Sequence, residues 1–183
     1  YRQEDFLLSE RNFLESQQIW EENEKKNNRK LMFLYSWLGK SQRDAGKIDL
    51  FIDSYNRSIN LNIDNDTIHP FLLRAQYNDL TNLYFYKDRY LKLDKITIDM
   101  LNKIEFYALK ELEIVSQMSR ASFMSIITSE SEKERLKRDI DGFLYQIYRK
   151  LVITQENWFP DSIKTADYQS LLVRHTDKVW WTN

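Results

Sequence analysis

The chain has no cysteine, three glycines and two prolines in 183 residues. The missing cysteine excludes a disulfide framework, a thiolate-ligated zinc site and a thiol nucleophile. The shortage of glycine and proline excludes more. Average usage would place roughly 12% of residues in these two types. A sheet spends them on turns every ten residues or so, and this chain cannot supply them. Long helices joined by few connections can be built from it, so the composition predicts an all-α fold.

An excess of charge of one sign is also missing. There are 27 basic and 28 acidic residues, and the formal net charge is −1. The two signs interleave, as in SESEKERLKRDID (129–141), which reads as a solvated helix face held by i,i+4 pairs. A nucleic-acid partner calls for a basic stripe, so none is expected. Long hydrophobic runs are lacking too. The longest, LMFLY (31–35), is far from the ~18–20 residues that span a bilayer, and no signal-peptide pattern stands at the start. The chain begins at Tyr1 and not at Met, which we read as excision from a longer protein. Its length predicts a single domain over 1–183.

What is present can fill a core. Aromatic residues reach 14%, too many to stay solvated, which argues against disorder. Their spacing is helical. Phe6, Phe13 and Trp20 repeat every seven residues, and Leu31, Leu34, Tyr35 and Leu38 form another stripe. Between them the polar stretch EENEKKNNRK (21–30) is either a solvated continuation of one helix or a break. Gly39 is expected as a C-terminal cap. Ile48, Phe51, Ile52, Tyr55 and Ile59 predict the next helix, with Asp44 or Gly46 at its start. NLNIDNDTIHP (60–70) reads as a loop, and Pro70 as a first helical turn. From 71 to 128 neither glycine nor proline occurs. Two stripes there, through Leu80, Leu83 and Tyr84 and through Leu101, Ile104, Ala108, Leu112, Val115 and Met118, do not join in register. A turn is therefore expected within 91–99, with Asp94 as the cap. Ser129 and Ser131, each three residues before a glutamate, form a capping-box pattern that opens a long helix to about Glu156, with Leu136, Ile140, Leu144, Ile147 and Leu151 on one stripe. Pro160 ends it, and a last helix runs through Tyr168, Leu171, Leu172 and His175. The sum is an elongated antiparallel helical bundle of five to seven helices, at least three of them long.

No catalytic signature accompanies this pattern. Gly-rich phosphate loops and a G-x-S-x-G elbow are missing, and no enzyme activity is expected. His69 and His175 are the only histidines and share no ligand spacing, so neither a metal nor a cofactor is expected. Asn60, Asn62, Asp64 and Asp66 alternate as in a calcium loop, but the glycine and glutamate positions of that loop are unfilled. Asn56-Arg57-Ser58 and Asn65-Asp66-Thr67 match the glycosylation sequon and carry no weight alone. One internal block, YFYKDRY (84–90), puts Tyr86, Arg89 and Tyr90 at i, i+3, i+4. Two phenols beside a guanidinium make a candidate ligand-binding site for a small carboxylate or aromatic molecule, against the plainer reading of a packed aromatic face.

The chain finishes in DKVWWTN. Trp180 and Trp181 are expected to close the core, to form a partner patch, or to lie at a membrane surface, where tryptophan concentrates. The aromatic and basic residues at the start, YRQEDFLL, favour the membrane over the partner patch. The leading functional expectation is a non-enzymatic recognition module: the extracytoplasmic (periplasmic) sensing domain of a bacterial-type transmembrane receptor. It would bind a small-molecule ligand or a partner protein, meet the membrane through flanking segments, and be compatible with a homodimer. The alternative is an intracellular, cytoplasmic helical scaffold or adaptor, with an enzyme of unrecognised site a distant third.

Overall fold

The computed structural model describes residues 3–22, 28–63, 69–91, 97–158 and 162–176, and every regular element among them is a helix. In chain order these are α1 (Gln3–Glu22), α2 (Asn28–Asp44), α3 (Ile48–Ile63), α4 (Pro70–Phe85), α5 (Lys87–Tyr90), α6 (Ile98–Met118), α7 (Ala121–Met124), α8 (Glu130–Trp158) and α9 (Ser162–Thr176). Seven of them are 15 to 29 residues long, while α5 and α7 are single turns of four. The fold is an all-α helical bundle.

Local chemistry sets the helix ends. Gly46 has φ +78°, the left-handed conformation that a side chain disfavours. Its N–H bonds the Arg43 carbonyl at 2.9 Å, and the Lys47 N–H bonds the Gln42 carbonyl at 2.8 Å. That pair of bonds is a Schellman motif and terminates α2. Gly39 is therefore not the cap. It lies inside α2, where its bare Cα lets α3 approach. Thr97 caps α6 by accepting the Met100 N–H at 3.2 Å. The expected cap, Asp94, lies outside the described residues. Ser129 opens α8 as its sequence pattern predicts, its hydroxyl facing the Glu132 N–H at 3.4 Å.

Contacts divide the chain into two compact units, Tyr1–Gln76 with Arg89–Lys92, and Tyr77–Asp88 with Leu93–Asn183. In the first, α1, α2 and α3 run antiparallel in succession. Phe13 of α1 packs on Leu31, Tyr35 and Leu38 of α2, so α1 and α2 lie side by side as separate helices. Across α2 and α3, Met32, Phe51, Tyr55 and Ile59 are buried, each side chain contributing on the order of 1.5–3 kcal/mol. Polar bonds fix the register of this pair. Ser54 donates to Gln42 Oε1 at 2.7 Å, Ser58 to the Met32 carbonyl, and Gln76 of α4 to Ser58 at 2.6 Å. The helix α3 continues to Ile63, further than the expected loop start at 60, because Asn62 is a fully buried clamp. Its Oδ1 accepts the His69 N–H at 2.7 Å and its Nδ2 donates to the His69 carbonyl at 3.2 Å.

In the second unit, α6, α8, α9 and the end of α4 pack together. Leu80, Leu83, Ile104, Ala108, Val115, Met118, Ile147 and Leu151 are buried, the positions that the helical stripes predict, while Leu112 and Leu144 are half-buried. Tyr107 stacks on Tyr84 and Tyr77 at 6.2 and 6.4 Å. Lys150 of α8 donates to Asn78 of α4 at 2.6 Å. The last helix lies antiparallel to α8: Gln169 bonds Glu156, and further along His175 bonds Asp141 and stacks on Tyr148.

Candidate functional site

Three helices of the first unit enclose an open recess of about 530 Å³. Asn28, Leu31 and Tyr35 line it from α2, at i, i+3, i+7, and Arg57, Asn60 and Leu61 from α3, at i, i+3, i+4. Helical spacing puts each set on one face. Glu21, in the last turn of α1, completes the wall. Leu31 and Tyr35 are buried and Leu61 is half-buried, so they make the floor. Glu21, Asn28, Arg57 and Asn60 are exposed and make the rim. An apolar floor with a few converging polar groups, in a volume of some hundreds of Å³, is the usual form of a small-molecule site.

Tyr35 organises the polar wall. Its hydroxyl donates to the Glu21 carboxylate. The Arg57 guanidinium lies 5.7 Å from the centre of its ring, within cation–π range. Burial raises the Tyr35 pKa above its ordinary value, and the bond to Glu21 raises it further, with Arg57 partly opposing. The phenol therefore stays protonated at neutral pH and remains a donor. Arg57 is raised in turn, by Tyr35 first and by Asp53 next, and its Nε lies 3.0 Å from Asp53 Oδ2. A carboxylate and a guanidinium thus flank one phenol above an apolar floor. This arrangement can orient a small polar ligand.

Another, smaller notch of about 300 Å³ is lined by Glu10, Arg11, Leu14, Glu15, Gln18 and Lys47. Its charges are matched within it, Arg11 to Glu15 at 2.9 Å and Lys47 to Glu10 at 2.5 Å. Glu10 is nearly buried, so this pair reads as a latch between α1 and the start of α3.

The residues singled out from the sequence fall elsewhere. Tyr86 is the turn residue between α4 and α5, exposed, with its ring edge-on to Phe85 at 5.0 Å. It groups with the second unit, whereas Arg89 and Tyr90 group with the first. Tyr90 is half-buried under the Arg43 guanidinium, at 5.6 Å. The Arg89 side chain lies outside the described residues, as do Trp180 and Trp181. His69 caps α4: its Nδ1 accepts the Leu72 N–H at 3.2 Å, and its ring meets Phe33 edge-on at 5.3 Å. The sequon serine Ser58 is buried in mid-helix. Among the described residues no group of three or more His, Cys, Asp or Glu side chains is arranged to hold a metal ion.

The recess was not legible in the sequence. Its two helical triplets can be found by spacing, but nothing in one chain says that α2 and α3 pair in the register that brings Tyr35 beside Arg57. Compared with protein-family models, curated proteins and solved structures, the chain matches none.

Proposed function

We propose that this chain is a non-enzymatic recognition module and that the recess of α1, α2 and α3 seats its ligand. The observation that carries the proposal is the Glu21–Tyr35–Arg57 wall over a floor of Leu31 and Leu61. A ligand held there touches three helices at once. Small offsets of packed helices are a known way to pass a signal on, which fits the extracytoplasmic sensing domain of a bacterial-type transmembrane receptor. No helix among the described residues is long and apolar enough to cross a membrane, so on this reading the membrane is met through segments outside the described helices.

The alternative, a helical scaffold or adaptor, draws on a different feature. Ile98, Phe106 and Leu109 of α6 are all substantially exposed, and their spacing places them within one stripe of about 80°. A partner helix could lie along it.

Two variants separate the two readings. Asn60→Trp fills the recess from its exposed rim. In a thermal-shift screen of small polar molecules, compounds that stabilise the parent should lose their effect on the variant. If they stabilise both proteins equally, the recess is not the seat. Loss of partner capture on Phe106→Asp, with no small-molecule response in either protein, would favour the scaffold.

A further inference from the structure

We infer that the recess is selective for a small zwitterion, a free α-amino acid with an apolar side chain. Its ammonium would lie on Glu21, its carboxylate on Arg57 and its side chain over Leu31 and Leu61. This inference rests on the proposed function of the same recess and adds the ligand's chemistry.

The argument begins with charge. One wall of the recess offers an exposed carboxylate and an exposed guanidinium, both held by the same phenol. A simple amine meets Glu21 favourably but is repelled by Arg57. A simple carboxylate meets the reverse. A zwitterion of amino-acid size satisfies both, because its two charged groups are attached to the same carbon of one small head. Geometry agrees. Arg57 has five N–H donors in a planar fork, and its Nε is committed to Asp53 at 3.0 Å. That bond fixes the plane of the fork while the guanidinium remains exposed to a second carboxylate. The buried phenol stays protonated and holds the Glu21 carboxylate in place as an ammonium acceptor. Asn28 and Asn60 stand at the rim, where their amides can take the remaining donors and acceptors of the head group. The floor has no charge, which disfavours an acidic or basic side chain laid against it.

The test is a calorimetric titration of the whole chain with three probes: L-leucine, leucinamide, which lacks the carboxylate, and N-acetyl-leucine, which lacks the ammonium. Leucine should bind, and each blocked analogue should bind at least about tenfold more weakly, the loss of one charge-assisted contact. Arg57→Gln should remove the difference between leucine and leucinamide. Glu21→Gln should remove that between leucine and N-acetyl-leucine. Both side chains are exposed, and unchanged melting of the variants confirms that they fold. Equal binding of leucine and either analogue to the parent protein overturns the inference, as does no binding of leucine up to about 10 mM. A different compound class that binds the parent but not Asn60→Trp would refute the zwitterion and leave the recess as a seat. Leucine binding that Asn60→Trp leaves intact would refute both.

Discussion

Gly39 and Tyr55 touch so closely that a Cβ on Gly39 would stand 2.5 Å from Tyr55 Cδ1 and 3.4 Å from the Phe51 carbonyl oxygen. The Tyr55 ring cannot retreat easily, since it is fully buried and packs on Phe51 at 4.5 Å. Two effects compete in Gly39→Ala. Alanine favours a helix interior by about 1 kcal/mol, but overpacking a fixed core costs about 1–3 kcal/mol. The clash should win, with a net loss of up to roughly 2 kcal/mol in urea denaturation. Adding Tyr55→Leu should make the alanine neutral or favourable, because the ring it strikes is gone. An unchanged penalty in the double variant would mean that Gly39 serves something other than this approach.

The clamp of Asn62 on His69 predicts a second loss. Asn62→Ala leaves the His69 N–H without its partner beside a buried site and takes from the His69 carbonyl one donor besides those of Leu72 and Leu73, at a cost of about 1–3 kcal/mol. Asn62→Asp keeps the acceptor for the N–H but removes the donor and buries a charge, so it should be no better. Equilibrium unfolding checks the size. Hydrogen exchange at Leu72 and Leu73, the first amides bonded to His69, should accelerate in both variants.

The helix inventory was legible because each stripe is local. Periodicity over 101–118 and 136–151 named most of the buried apolar positions, Leu112 and Leu144 being half-buried, and Ser129 announced its helix by chemistry that acts within one turn. Errors arose where a distant neighbour decided. Gly39 reads as a cap from the chain alone, and only Tyr55, sixteen positions on, makes it a packing residue. Asn62 reads as loop until His69 folds back on it. The recess needs α1, α2 and α3 in register, and no local rule supplies that. Tyr86, Arg89 and Tyr90 share one face when 84–90 is read as a single helix; in the structure Tyr86 is the turn between α4 and α5.

Alkaline pH should act on the buried and half-buried phenols. Tyr35, Tyr77, Tyr107, Tyr148 and Tyr168 all have pKa values raised above the ordinary 10.0, with burial the first cause in each. An acid whose folded pKa is raised holds its proton more tightly in the native state. Its contribution is complete below pH 10 or so and is lost as pH rises toward the folded value. Stability should therefore be flat near neutrality and fall above about pH 10, by up to about 1.4 kcal/mol per pH unit for each displaced group. Melting curves across that range measure the fall, and Tyr35→Phe should make it shallower. A profile that Tyr35→Phe leaves unchanged would contradict the shift.

The last helix should detach before the rest of its unit. Its tie to α8 includes His175 Nδ1 with Asp141 Oδ1 at 3.0 Å and the stacking of His175 on Tyr148 at 5.9 Å. Leu171, Leu172 and Tyr168 are only half-buried. His175→Ala should raise the exchange rates of α9 amides by about 5- to 30-fold, equivalent to about 1–2 kcal/mol of local opening, with those of α6 unchanged. Uniform acceleration across the unit would show that α9 unfolds only with the whole.

The proposed seat can be examined directly by following backbone amides in a nitrogen–proton correlation spectrum while L-leucine is added. The largest shifts should cluster at Asn28, Leu31, Tyr35, Arg57, Asn60 and Leu61, and Asn60→Trp should abolish them. Saturable shifts confined to other residues, or a response that survives in Asn60→Trp, would contradict recognition at this recess.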